Sequence, residues 1–193
     1  MRGLWVLVIS TAIVLMLAVP ALGDSGRFTD KNDVHGRLDI KSVTFTHARH
    51  HHDRLIHRIT LYKNWKSSLL KRGDREIHVL FDSDPNKGYE DYSFATERRV
   101  EIFFAGGDLH ARLFNNLGDP PKKLAPLNVW RSGGDQVSFS IKKKQLSHRK
   151  NFDHYRWAVL TQYGRRGRDD CSRKKPCFDY SPPRHHRYYR HDL

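Results

Sequence analysis

From residue 38 onward the chain alternates apolar and polar side chains with a period of two, and this pattern limits the possible folds more than any other feature. "RLDIKSVTFTH" carries Leu38 and Ile40, then Val43 and Phe45. "RLIHRITLYK" sets Leu55, His57, Ile59 and Leu61 on one face and Ile56, Arg58, Thr60 and Tyr62 on the other. "REIHVLFD" opposes Ile77, Val79 and Phe81 to His78 and Leu80. "EDYSFATE", "RRVEIFFA", "DLHARLFN", "LNVWRS", "DQVSFSIKK" and "YRWAVLTQY" continue the series, separated by Gly, Pro, Asp and Asn clusters. No stretch holds a sustained helical period: residues 64–72 are too short to assign, and Lys142–Leu146 has room for one helical turn. Many short strands without intervening helices predict an all-β fold, an antiparallel β-sandwich of about nine strands. A closed barrel is the alternative.

The two ends of the chain differ from its middle. "MRGLWVLVISTAIVLMLAVPALG" has one early cation, an apolar run from Leu4 to Val19, a breaker at Pro20, and small residues at 21 and 23. That is the pattern of a signal peptide over residues 1–23. An uncleaved anchor is the competing reading, because a membrane span needs about 20 apolar residues. Cleavage would leave no stable membrane span and a secreted chain of 170 residues, enough for one domain with a core of its own. Residues 24–36 are polar and expected to be flexible, residues 37–163 form the sandwich domain, and residues 164–193 form a basic cysteine loop and tail. Cys171 and Cys177 bracket "CSRKKPC". In an oxidising compartment a disulfide tethering the extended tail is the default, contributing about 2–3 kcal/mol. Free thiols or metal ligands are the alternative, although zinc sites favour closer cysteine pairs.

The chain carries 35 Lys and Arg against 21 Asp and Glu, a net charge of +14, and loss of Arg2 with the leader makes it +13. A domain so basic is drawn to anionic surfaces: envelope polymers, acidic polysaccharide, lipid head groups and, non-specifically, nucleic acid. Charge by itself also serves solubility.

Motifs for chemistry are sparse. "DSDPNKGYEDYS" places Asp82, Asp84 and Asn86 at the first, third and fifth positions of a calcium loop. Lys87 stands where the EF-hand glycine belongs, and Ser93 where the bidentate glutamate belongs. The stretch reads as a turn between strands, with Asp82, Asp84 and Asn86 as minority metal candidates. His47, His50, His51 and His52 cluster in "THARHHHDR", and His185, His186 and His191 in the tail. Contiguous imidazoles in a loop lack fixed geometry, so they predict adventitious nickel or copper affinity and extra positive charge below about pH 6.5. No nucleophile elbow, zinc-protease motif or phosphate loop is present. A carboxylate pair for glycoside hydrolysis would have to come from Asp82, Asp84, Glu90, Asp91 and Glu97, which read as turn and strand-edge residues. A non-catalytic chain without cofactor is the expectation.

Aromatic residues give the stronger binding signal. Beyond the leader the tryptophans are Trp65, Trp130 and Trp157. Trp157 alternates with Tyr155 and Val159 and is assigned to the core. Trp65 lies in a connection beside Asn64 and Lys66, and Trp130 lies next to Arg131. Trp65, Trp130 and Arg131 are therefore the ligand-binding candidates, with ring faces suited to stacking on a sugar.

"GRLDIKSVTFTH", "LIHRITLY", "IHVLFDSDPNKGYEDYSF", "VSFSIKKKQL" and "YRWAVLTQY", over residues 36–163, resemble the strand order of the family 9 carbohydrate-binding modules and the DOMON-like domains. The chain is also similar to small exported bacterial proteins of unknown function with a C-terminal cysteine loop. The resemblance implies the sandwich fold and, by analogy, sugar binding. A haem role would need an axial His or Met, and both methionines fall within residues 1–23. Two functions are carried forward: a secreted module binding carbohydrate or a cell-envelope polymer, and an electrostatic polyanion-binding scaffold.

Overall fold

The computed structural model describes residues 25–34, 36–71, 75–83, 96–147, 152, 154–163, 178–181 and 189–193. Eleven strands occur among them: β1 (Gly26–Thr29), β2 (Ile40–Ala48), β3 (His51–Leu61), β4 (Arg75–Asp82), β5 (Arg98–Ala105), β6 (Asp108–Asn115), β7 (Lys122–Trp130), β8 (Gln136–Lys142), β9 (His154–Tyr163), β10 (Phe178–Ser181) and β11 (Tyr189–Asp192). A 3-10 segment spans Ser67–Lys71, and the single helical turn α1 spans Lys143–Leu146. Every ladder is antiparallel. The strand expected around residues 90–95 and both cysteines lie outside the described residues.

The strands form one curled sheet in the order β1-β2-β3-β8-β7-β6-β5-β4-β9-β10, with β11 pairing β9. β7 joins the two halves of this sheet. Its residues Lys122 to Leu127 pair with β6, whereas Asn128 to Trp130 pair with β8. Pro126, which has no N–H to offer a ladder, lies just before the change of partner, and a register shift at Leu113/Phe114 adds a local bend. A strand that changes partners along its length turns a corner, so the two halves stay hydrogen-bonded while facing each other.

Strict alternation fills the space between the halves. Leu55, His57 and Ile59 of β3 meet Ile77, Val79 and Phe81 of β4, Phe139 of β8, and Tyr155, Trp157 and Val159 of β9, all fully buried. The His57 ring stacks on Phe139 at 5.2 Å and meets Phe81 and Trp157 edge-on, each at 5.1 Å. Phe45 of β2 meets Trp157 at 5.8 Å. A register shift between Ile40 and Ser42 lets Leu38 and Ile40 share the interior with Val43 and Phe45 despite the odd spacing.

Three short strands extend beyond the expected domain. β1, inside the segment expected to be flexible, pairs with β2 from Gly26↔Phe45 to Thr29↔Ser42. β10 and β11 come from the tail and lie end to end along one edge of β9. They cover an edge that would otherwise expose unpaired backbone groups.

Candidate anion-binding cleft

A cleft of about 390 Å³ opens where the connection after β3 meets the start of β4, lined by Arg37, Lys66, Ser68, Leu69, Lys71 and Arg75. Its floor follows from two buried anchors. Trp65, 4 % exposed, fixes the chain just before the 3-10 segment, and Leu70 fixes its last turn. The Trp65 N–H donates to the Gly134 carbonyl at 3.0 Å, and the Leu69 N–H donates to the Lys66 carbonyl at 2.8 Å. With the apolar residues held inward, Lys66, Ser68 and Lys71 point to solvent.

The opposite wall is built on Tyr163. Arg75 faces Tyr163 in the β4–β9 register, and its guanidinium lies over that ring at 4.7 Å. Gly36 packs against the same ring with φ of 125°, and a Cβ there would lie 2.6 Å from Tyr163 Cδ1. Only glycine permits both the backbone angle and the approach, and the next residue, Arg37, is thereby set at the cleft. The Arg75 Nε–H is buried and finds no acceptor among the described residues.

Among the described residues, four cations and one hydroxyl line this cleft, with no acidic side chain. Guanidinium groups engage phosphate, sulfate or carboxylate oxygens in pairs, and ammonium groups add point charge. The volume falls in the range of about 300–1,000 Å³ typical of small-ligand sites, enough for a charged sugar-sized unit.

The residues singled out in the sequence are scattered. Trp65 is buried, so it offers no ring face to a ligand, which corrects its assignment as a stacking residue. Arg131 is committed to the fold. Its guanidinium stacks 3.8 Å above Trp65 and donates to the carbonyls of Gln136, Trp65, Gly133 and Gly134. Trp130, 37 % exposed, remains on the outer face of β7, with Leu124 and Leu117 also exposed. Asp82 is buried at the end of β4, whereas Asp84 and Asn86 lie outside the described residues. Among the described residues no three His, Cys, Asp or Glu side chains are grouped to hold a metal ion. Glu97 is buried and accepts hydrogen bonds from the hydroxyls of Ser83 and Ser147, tying the end of β4 to the start of β5 and the end of α1. Trp157 is in the core as expected.

Sequence reasoning missed the cleft and two buried polar groupings. His57 is hydrogen-bonded through Nε2 to the Tyr155 hydroxyl at 3.1 Å, which in turn bonds His191 Nδ1 at 2.8 Å. Burial, with a smaller contribution from His191, pushes the His57 imidazole down to about 3, so it stays neutral. The second grouping is Asp30, Asp39 and Asp179, all buried where the ends of the sheet meet. The cleft had one visible signal, the run of cations in "KNWKSSLLKRGDR". No family model, curated protein or solved structure matches the chain.

Proposed function

We propose that the chain is an exported, non-catalytic binding module for an anionic polymer of the cell envelope or its surroundings, gripped at Arg37, Lys66, Ser68, Lys71 and Arg75. The leader at residues 1–23 and a Cys171–Cys177 disulfide belong to this proposal. The observation that carries it is a cleft walled, among the described residues, by four cations and no acid. Net positive charge draws a polyanion to the surface, and the cleft gives one charged unit a defined seat.

The sugar-binding reading has less support, since Trp65 is buried and Arg131 is occupied by backbone carbonyls. It retains one specific observation, the exposed ring of Trp130 on β7.

The test is titration with dextran sulfate and with neutral dextran at two salt concentrations. Dextran sulfate should bind, and its affinity should fall steeply between about 50 and 200 mM salt, as expected when several anionic groups are neutralised. Neutral dextran should not bind. Replacing Arg37, Lys66 and Lys71 by Gln should weaken binding at least tenfold on the scale of about 1 kcal/mol per desolvated charge contact. Replacing Arg27, Lys41 and Lys144, exposed cations elsewhere, removes the same charge and should cost far less. Equal losses from both triple variants would show a diffuse field with no seat, and binding of neutral dextran alone would favour the Trp130 face.

A further inference from the structure

β1 and β10 are the ends of the hydrogen-bonded order, and the curled sheet brings the start of β2 against β10, with Leu38 just before it bonded to β9. No ladder joins β2 to β10 among the described residues; side chains close the gap. Asp179 Oδ2 accepts the Ile40 N–H at 2.5 Å, and the Thr161 hydroxyl donates to the Leu38 carbonyl at 2.5 Å. Below them Phe28 stacks on Tyr189 at 3.8 Å and Phe45 on His191 at 3.9 Å.

This seam holds three buried carboxyl groups. Asp39 and Asp179 are 2 % and 4 % exposed, and Asp30 is also buried. Asp30 Oδ2 and Asp39 Oδ1 have no hydrogen-bond partner among the described residues. Among the described residues, the charged groups facing them are Asp33 after β1 and Lys63 after β3. Neutral hydroxyls complete the surroundings: Tyr62, which donates to the Asp30 carbonyl at 2.6 Å, and Ser181 with Tyr189, 2.7 Å apart. Three buried acids with one ammonium group near them among the described residues favour their uncharged forms.

We propose that Asp30, Asp39 and Asp179 form a proton-operated latch: protonated, they hold β2 to β10 and keep Arg37 in the cleft; ionised, they loosen the seam and weaken anion binding. The coupling has a direct route, because Arg37 immediately precedes the bonded run Leu38–Ile40. It rests on the anion-binding reading of the cleft, whereas the latch stands on the seam alone.

Burial pushes the Asp179 carboxyl up to about 8, opposed by the Ile40 N–H and reinforced by Asp30, Asp39 and Asp33. Burial, then Asp33, raises Asp39 to about 6, and burial raises Asp30. A raised carboxyl contributes full stability below its ordinary value near pH 4. That contribution declines as pH rises toward the folded-state value and is gone above it. Acid therefore closes the latch and alkali releases it. Between pH 6 and 8 an opened Asp179 has lost its proton throughout, while the closed form holds it until about 8. Two pH units give a hundredfold, halved at the midpoint, so seam opening should rise on the order of fiftyfold.

Amide exchange at Ile40, corrected for its intrinsic pH dependence, reads this opening. Wild type should show the fiftyfold rise, whereas Asp179→Asn, a neutral acceptor for the Ile40 N–H, should show a rise of only a few-fold. Dextran sulfate, whose sulfate esters stay charged at both pH values, should bind wild type more weakly at pH 8 than at pH 6. Loss of imidazolium charge lowers affinity in both proteins, so the excess loss in wild type over the variant isolates the latch. Unchanged Ile40 protection in wild type, or an equal change in the variant, overturns the latch. Increased exchange with no excess loss of affinity overturns its coupling to the cleft. Absence of dextran sulfate binding at either pH overturns the anion reading and the coupling with it, and Ile40 exchange still decides the latch. Should Asp179→Asn not fold, wild-type exchange decides alone.

Discussion

Replacing Arg131 separates a ligand contact from a structural staple. The guanidinium donates to four backbone carbonyls: Gln136 at 2.7 Å, Trp65 at 3.1 Å from each Nη, Gly133 at 3.0 Å, and Gly134. The glycine carbonyls are exposed, so water replaces Arg131 there at little cost. Trp65 and Gln136 offer part-buried acceptors, and losing a charged donor to each costs about 1 kcal/mol after partial rehydration. Loss of the guanidinium stacked 3.8 Å above Trp65 adds about 1 kcal/mol. Arg131→Ala should therefore destabilise the protein by about 3 kcal/mol. Arg131→Lys, which keeps the charge without the planar fork, should cost about 2 kcal/mol. Urea unfolding at neutral pH reads both values from the midpoint at constant slope. At low temperature, where both variants remain folded, dextran sulfate affinity should stay within about twofold of wild type, since Arg131 is not among the cleft residues. An Arg131→Ala protein as stable as wild type but unable to bind would refute this reasoning and restore Arg131 as a ligand contact.

Three further outcomes follow from the same geometry. His57, held down to about 3 by burial, resists protonation, so its contribution is present above about pH 6.5 and lost as pH falls toward 3. Between pH 7 and 4 wild type should lose about 3 kcal/mol more than His57→Leu in urea unfolding, and equal losses would contradict the neutral buried imidazole. Gly36→Ala places a methyl 2.6 Å from the Tyr163 ring at φ of 125°, and should cost about 1–3 kcal/mol by thermal melting while weakening dextran sulfate binding through Arg37. Unchanged melting would show that the Tyr163 wall yields. Trp130→Ala, on an exposed site, should change stability by less than about 0.5 kcal/mol and leave dextran sulfate affinity intact; lost affinity would move the site to β7.

The sequence displayed faces more clearly than neighbours. Strict alternation in Leu55, His57, Ile59 and Leu61 and in Ile77, Val79 and Phe81 fixed which side chains turn inward, because a one-residue slip would put all of them in water. Period-two pattern does not say which strand lies beside which. The joining of both halves by β7 depends on where a strand changes partners, and that is set by contacts distant in sequence. Four residues are too few for alternation to register, which hid β1, β10 and β11. Ile40 and Asp179, the bond at the seam, are 139 positions apart. Trp65 looked exposed between Asn64 and Lys66, yet it is the anchor of a short segment roofed by Arg131, and local polarity does not reveal a roof supplied by another loop. The cleft is hidden for the same reason, since Arg37 reaches it across the seam from a segment about thirty positions before Lys66 and Lys71.

Residue-resolved mapping of a sulfated oligosaccharide on the isotope-labelled protein by amide shift perturbation tests the anion-binding cleft most directly. An anion seated in the cleft should place the largest shifts on Arg37, Lys66, Ser68, Lys71 and Arg75, with Trp130 at background. Shifts centred on the outer face of β7, or spread evenly over the cations of the whole surface, would contradict it.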